Sequence, residues 1–395
     1  MTAALSISPS SRPGPSSTPL PKLAEYLRQV PDPRQAQGKR HSLAAILLLV
    51  VVAMLAGRTH RLGIHEWGRG AEEAVRRALG FREGKTPAAS TLHLVLNALD
   101  WEAFAEQLRT WAVALLVALD PGQEVALSCD GKTVRGSLRE GSEVAHLLSV
   151  FTHDLGITLD LEPVERKSNE IPAAPKLLLR LPVAGRIVLV DALLTQEETA
   201  RALVEAGADY VMPVKGNQPG LAGELRQLFS EPLPETWQRE AAETYERGHG
   251  RREFRRLVVV EPPLGERLDW GRARQYFFLE RVRWVGAAET GARTVVYGIT
   301  SLARERAGAA KLLGLVRAHW QIENRSHWVR DTLFREDESR SSKKNIVQVL
   351  GGLRGAALTL LHGCRRATGG RSLAAVQRRL EQRPWEILAL TGAGG

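Results

Sequence analysis

Cysteine is nearly missing from this chain: its 395 residues include two, Cys129 and Cys364. Two thiols build no disulfide framework and supply no CxxC pair for zinc. Their scarcity fits a reducing, cytoplasmic compartment. Long apolar runs are missing as well. The longest, Leu43 to Ala56, spans 14 residues, short of the ~20 a membrane-crossing helix needs. It reads as a buried helix, and no membrane partner is expected. The opening stretch SISPSSRPGPSSTPLP has no apolar segment of the kind a secretory signal carries. Between Pro33 and His65 there is no Asp or Glu at all, while Arg34, Lys39, Arg40, Arg58 and Arg61 are present. No internal repeat is visible.

What is present suggests a globular protein with a polyanionic partner. Hydrophobic residues make up 44%, enough for an ample core, and the length suggests two or three domains. Lys and Arg number 54 against 44 acids, a net charge of +10 spread along the chain. That balance favours an acidic polymer, most simply nucleic acid. A generally basic composition rich in Arg and Ala is the plainer alternative.

Residues 1–21 are rich in Ser and Pro and read as a disordered N-terminus. Residues 22–120 read as a helical N-terminal domain. Ser42 is placed to cap the apolar helix after it, and the acid-free stretch makes the domain a candidate DNA-binding module through Arg34, Lys39 and Arg40. Thr86 to Leu92 looks like a turn and cap before another helix. Either a helix-turn-helix recognition element or an ordinary helical hairpin has that pattern.

From about residue 121 the periodicity becomes that of strands. Strands are expected at Val125–Cys129, His146–His153 and Ile157–Val164, with a hairpin turn at Asp154-Leu155-Gly156. A helix at Lys176–Leu181, a strand at Arg186–Val190, a helix at Gln196–Ala206 and a strand at Asp209–Val214 follow. This is an α/β order with a mixed sheet, and it matches a ribonuclease-H-like catalytic core over 121–223. Residues 224–300 read as a β-rich insertion. Residues 301–363 read as the core helix (roughly Ala307 to Phe334) that carries Glu323, and 364–395 as a basic C-terminal tail.

Three acids stand in distinct settings: Asp130 in EVALSCDGKTVRGS, Asp191 in GRIVLVDALLTQEE and Glu323 in RAHWQIENRSHWVRD. A carboxylate at the mouth of a buried strand is costly unless it holds a cation. Three that converge would hold two divalent metals, the apparatus for in-line attack on a phosphodiester. Each has an ordinary alternative. Asp130 precedes Gly131 and could simply start a turn. Asp191 lies where open α/β sheets bind ligands, beyond the carboxyl end of a strand, but could cap the next helix. Glu323 has His319 at i−4, His327 at i+4 and Arg330 at i+7, one face of an α-helix. That face could be solvated, or a His-Glu-His zinc site.

Donors for DNA cluster around these acids. Lys132 and Arg135 follow Asp130. Lys215, Asn217 and Gln218 form a polar loop after the last core strand, suited to phosphates or bases. His319, Asn324, His327 and Arg330 surround Glu323, and His249 and Arg251 lie in a basic segment suited to a nucleic-acid backbone. Polar surface turns are the plain alternative for both loops.

Taken together, CDGKTVRGS, KSNEI, DALLTQ, DYVMPVKGNQ, RGHGRRE and HWQIENRSHWVRDTLFRED resemble, in order, the blocks of a known family. It is that of bacterial insertion-sequence transposases of the DDE type, specifically the group of the H-repeat-associated proteins. PDPRQAQGKRHSLAAIL is similar to that family's N-terminal associated domain. The resemblance runs from about Leu23 to about Leu361.

It implies a transposase that binds the terminal inverted repeats of its element, cleaves DNA by metal-dependent hydrolysis and joins the 3′-hydroxyl ends to target DNA. It implies Asp130, Asp191 and Glu323 as the catalytic metal ligands, with Asp130 bridging two Mg2+ ions for which Mn2+ substitutes. A homodimer acting at the bacterial nucleoid, in the cytoplasm, is the expected working form. The wider group's Tyr–Arg–Glu–Lys signature corresponds here to Val316, His319, Glu323 and Arg330, so the Tyr is absent. A DNA endonuclease of the same fold without strand transfer, or a catalytically silent transposase-derived DNA-binding protein, are the alternatives.

Overall fold

The structure is a computed structural model that describes residues 19–135, 145–164, 169–248, 251–285, 288–289, 293–339 and 344–394. The first part is helical: α1 (Leu23–Leu27), α2 (Leu43–Leu55), α3 (Arg61–Gly70), α4 (Glu73–Ala78), α5 (Ala89–Ala98) and α6 (Trp101–Leu119). Ser42 caps α2, its Oγ accepting the Ala45 N–H at 3.2 Å. Helix α2 is apolar all round and correspondingly buried all round.

The middle of the chain is one mixed sheet. Its strands are β1 (Leu127–Val134), β2 (Ala145–Thr152), β3 (Thr158–Val164), β4 (Ile187–Val190) and β5 (Asp209–Val214). They are followed by β6 (Gln238–Gly248), β7 (Arg251–Glu261), β8 (Gln275–Val285), β9 (Ala288–Glu289) and β10 (Thr294–Thr300). The order across the sheet is β3-β2-β1-β4-β5-β10-β8-β7-β6, with β9 pairing β8. Strands β1, β4 and β5 are parallel, and the other pairings are antiparallel. Helices α7 (Glu170–Leu179), α8 (Glu197–Glu205) and α9 (Pro219–Ser230) lie between the strands in sequence.

The β-rich segment expected as an insertion joins the core sheet. Its strand β10 pairs antiparallel with β5, so β6 to β10 continue the core sheet at that edge. Sequence alone could not show this, because the pairing joins distant residues. Helix α7 begins at Glu170, well before the expected Lys176. Pro172 sits in its first turn, where a missing N–H has no partner to lose.

Strand β4 shows how the sheet is built in. Val188 and Val190 belong to the core shared with the N- and C-terminal helices. Ile187 and Leu189 belong to the core on the other face, with Leu312, Leu313 and Val316. The alternation has the period of a strand. Each fully buried aliphatic side chain contributes about 1.5–3 kcal/mol.

The base of β4 is pinned as well. Asp120, at the end of α6, accepts the N–H groups of Glu124 and Val125 at 3.0 and 3.2 Å and pairs with buried Arg186. That clamp holds the start of β1 beside the start of β4.

The remaining helices are α10 (Ala309–Ile322), a π-helical turn at Glu323–His327, α11 (Trp328–Thr332), α12 (Lys344–Thr368), α13 (Leu373–Glu381) and α14 (Pro384–Thr391). The expected single helix from about Ala307 to Phe334 is therefore interrupted by a π turn. The expected basic tail is folded: Leu373, Val376, Leu380, Ile387 and Leu388 join the core that begins at Leu23. Among the described residues, Asn345–Thr368 is the one helix long and apolar enough to cross a membrane, and 94% of its apolar 18-residue window is buried inside the protein.

Candidate active site

Strands β1 and β4 run parallel, and their last registered pair is Cys129 with Val190. One residue further stand Asp130 and Asp191: Asp191 follows the end of β4, whereas β1, expected to stop at Cys129, continues through Asp130 to Val134, its ladder with β2 carrying it on. Asp191 does not cap α8, whose N-cap is Gln196. Instead its Oδ1 accepts the Leu194 N–H at 2.9 Å, closing the turn after β4. Asp130 accepts the Gly131 N–H at 2.9 Å.

Glu323 arrives from the other side of the sequence, on the π turn. The His327 ring lies between it and Asp130: Nδ1 is 3.7 Å from Asp130 Oδ2 and 3.8 Å from Glu323 Oε2. Ligand atoms of Asp130, Glu323 and His327 all fall within 4.8 Å of one another, close enough to share a metal ion. Burial pushes the Asp130 carboxyl up to about 6, and the charges of Asp191 and Glu323 add to that push against His327. The His327 ring holds the exposed Glu323 below the usual carboxylate range. A buried acid raised by two neighbouring acids is the setting that a divalent cation relieves. The donor set therefore fits a divalent metal.

The π turn is held from behind. Arg325 donates to the His153 carbonyl at 2.5 Å, and His362 Nε2 donates to the Arg325 carbonyl at 3.2 Å. The other side of His153 bonds Ser128 Oγ at 2.6 Å, two residues before Asp130 on the same strand face. His153 has no role in the sequence reading, where it merely ended a strand. Burial drives its ring down to about 3 and that of His319 down to about 4.

The π turn also changes which residues share a face. Such a turn adds about one residue, roughly 100° of phase, to an α-helix. Arg330, expected beside Glu323, is fully buried and bonded to Glu336 Oε1 at 2.8 Å, with Arg354 3.4 Å from the same oxygen. Lys132 is buried too, 2.7 Å from Asp331 Oδ1 and 3.8 Å from Glu336 Oε2. Both cations are paired with acids within the protein, although the buried Nε and Nη1 of Arg330 have no hydrogen-bond partner among the described residues. His319 is buried and stands outside the Asp130–Glu323–His327 group, so the His319–Glu323–His327 set does not come together, although its Glu323–His327 half does.

The other predicted donors are dispersed. Arg135 and Lys215 are exposed, and the Arg135 N–H bonds Asp337 Oδ1 at 3.0 Å. Asn217 and Gln218 brace neighbouring loops: Asn217 donates to the Ala192 carbonyl at 2.5 Å and Gln218 to the Thr195 carbonyl at 3.1 Å. Arg34, Lys39 and Arg40 lie in the loop before α2. His249 lies outside the described residues, as do the side chains of Arg251 and Asn324.

Two family models match the chain: a DDE_Tnp_1-associated model over residues 24–112 and a transposase DDE domain over residues 122–360. A putative transposase, YncI, of Escherichia coli O157:H7 is 31% identical over 361 residues, covering 88% of this chain and 89% of that protein. The H repeat-associated putative transposase YhhI of Escherichia coli K12 is 27% identical, covering 87% and 90%. Among solved structures, a piggyBac transposase synaptic complex with hairpin DNA aligns with 93% of this chain and 75% of its own, at 11% identity and a TM-score of 0.42.

Proposed function

The chain belongs to the transposase DDE-domain family, and we propose that it is the transposase of an insertion sequence. It binds the terminal inverted repeats of its element, cleaves DNA at their ends by hydrolysis and joins the freed 3′-hydroxyls to target DNA. The reading rests above all on the meeting of Asp130 and Glu323 around His327, one strand from Asp191. The β3-β2-β1-β4-β5 order supports a ribonuclease-H-like core over 121–223, extended by 224–300 and completed by the Glu323 helix of 301–363. The helical domain of 22–120 is the module that holds the element's DNA, and a homodimer brings two ends together.

Asp130, with Asp191 on one side and Glu323 on the other, would hold the metal in this scheme. Held there, two Mg2+ ions, or Mn2+ in their place, would supply Lewis-acid stabilisation of the attacking and leaving oxygens. Asp130, Asp191 and Glu323 stay ionised to hold them. Lys215, exposed on the loop after β5, offsets phosphate charge. Lys132 and Arg330 act by fixing the helix that carries Glu323 against β1, and His153 and His362 fix the π turn.

Asp130→Asn keeps the size of the side chain and removes its charge. The variant is expected to bind end DNA as wild type does and to cleave none of it. Wild-type cleavage by that variant contradicts the assignment.

A further inference from the structure

We propose that a basic cleft in the helical domain is the seat of the DNA backbone, gripping consecutive phosphates of the element's end. The proposal rests on the transposase reading above and adds the place and chemistry of the contact. The cleft has a volume of about 640 Å³, and Arg34, Arg40, Arg69, Arg76 and Lys85 line it. They come from four separate pieces of chain: the loop before α2, the end of α3, α4 and the turn before α5.

These cations divide into one neutralised by an acid and four without an acidic partner, of which Arg76 is held by carbonyls and the other three are exposed. Arg34 is neutralised by Asp32, with bonds of 2.9 and 2.8 Å to its two oxygens, and also donates to the His41 carbonyl at 2.8 Å. It shapes the loop. Arg76 reaches only carbonyls, those of Arg69 and Ala71, each at 2.8 Å. Among the described residues, no carboxylate lies within ion-pair distance of Arg40, Arg69, Arg76 or Lys85. Arg40, Arg69 and Lys85 are exposed. Burial lowers the His41 ring, and the charges of Arg40 and Arg34 lower it further against the opposing charge of Glu83.

The walls are preformed. His41 packs edge-on against Phe81 with ring centroids 5.4 Å apart, and His65 Nδ1 is bonded to the Pro87 carbonyl at 2.9 Å. Four cations held without counter-charge exceed what a lone phosphate of at most two charges needs. They suit a polymer in which each successive phosphate brings one charge. The cleft is also tied to the catalytic end. The first turn of α5 borders it through Ala88 and Thr91. Through Ala89 and Ser90 the same turn faces a second hollow walled by Glu338 and Ser339, just beyond the Glu336 brace.

The test uses full-length protein and two duplexes of equal length, one carrying the gene's flanking terminal repeat and one scrambled. Binding is followed by fluorescence anisotropy without metal from 50 to 200 mM salt. Each lost phosphate contact removes about 0.9 from the slope of log affinity against log salt. Arg40→Gln/Lys85→Gln should flatten the slope by about 1.8, and adding Arg69→Gln by about 2.7, on both duplexes alike. Circular dichroism melts identify any variant that has lost its fold; the double variant, altered only at exposed residues, then decides. If wild type binds DNA and the folded double variant matches it in affinity and slope, the cleft is not the seat, while the transposase reading stands. If wild type binds neither duplex, the transposase reading itself fails.

Discussion

Lys132 Nζ lies 2.7 Å from Asp331 Oδ1. Lys132 is two residues beyond Asp130 on β1, and Asp331 is on the helix that follows Glu323, so this ion pair couples the two parts of the candidate site. Glu336 completes the brace, receiving Arg330 at 2.8 Å, Arg354 at 3.4 Å and Lys132 at 3.8 Å. Burial alone would raise the Glu336 carboxyl, but Arg330 and Arg354 outweigh it and hold it at about 2.

Glu336→Gln therefore leaves Arg330 and Arg354 buried without a counter-charge. Breaking a buried pair in this way costs about 3–5 kcal/mol, to be read by urea denaturation. A loss under ~1 kcal/mol, the range of a surface pair, contradicts the brace. The pH sign follows from the depressed carboxyl. Its contribution is complete above the ordinary value of 4.5 and is lost as pH falls through about 2. The variant should lack that component of acid unfolding.

Buried histidines set a milder acid limit. Burial lowers His153 to about 3, and His319 and His362 to about 4, from 6.5. Below pH 6.5 the unfolded chain takes up protons that the folded chain refuses, so stability falls from there towards pH 4. Each histidine contributes about 1.4 kcal/mol per pH unit in that window. Melting temperatures measured from pH 7 to 5 should fall steeply for wild type and less steeply for His362→Gln. Equal slopes for the two proteins would rule this out.

Metal affinity should follow Asp130. With its carboxyl at about 6 in the metal-free site, a growing fraction is protonated below that pH and must lose its proton before a cation binds. Calorimetric titration with Mn2+ is expected to show weaker binding at pH 5 than at pH 8, and a large loss of affinity in Asp130→Asn at either pH. Binding that is equally strong at both pH values in wild type speaks against Asp130 as a ligand.

Gly131 has no room for a side chain. A Cβ there would lie 2.4 Å from Glu170 Oε1, and Glu170 is buried. Gly131→Ala is expected to destabilise by about 1–3 kcal/mol and to slow cleavage by displacing β1 beside Asp130. A variant with wild-type stability and rate contradicts this packing.

Local signals in the sequence were legible, and distant pairings were not. Ile187 to Val190 announces a strand buried on both faces, and Ser42 announces the start of α2. Asp191 could be placed at a strand end because an apolar run stops at it; the same signal at Asp130 misled, since β1 runs on through polar Lys132 and Thr133 to Val134. That their strands are adjacent and in register depends on pairings no local pattern encodes, as does the union of β10 with β5. Arg330 and Lys132 read as free donors because a sequence displays charge and hides burial; their partner Glu336 drew no attention. The C-terminal arginines masked the apolar spacing of Leu373, Val376 and Leu380, which marks a helix with a buried side. The π turn left no mark that helical periodicity could detect, and it is what separates Arg330 from Glu323.

The most direct measurement incubates wild type and Asp191→Ala, with and without Mg2+, with DNA bearing the element's flanking inverted repeats and a target plasmid. Wild type should give metal-dependent cleavage at the repeat ends and joined products, with both absent in the variant. Cleavage that persists in Asp191→Ala, or that needs no metal, contradicts the central claim.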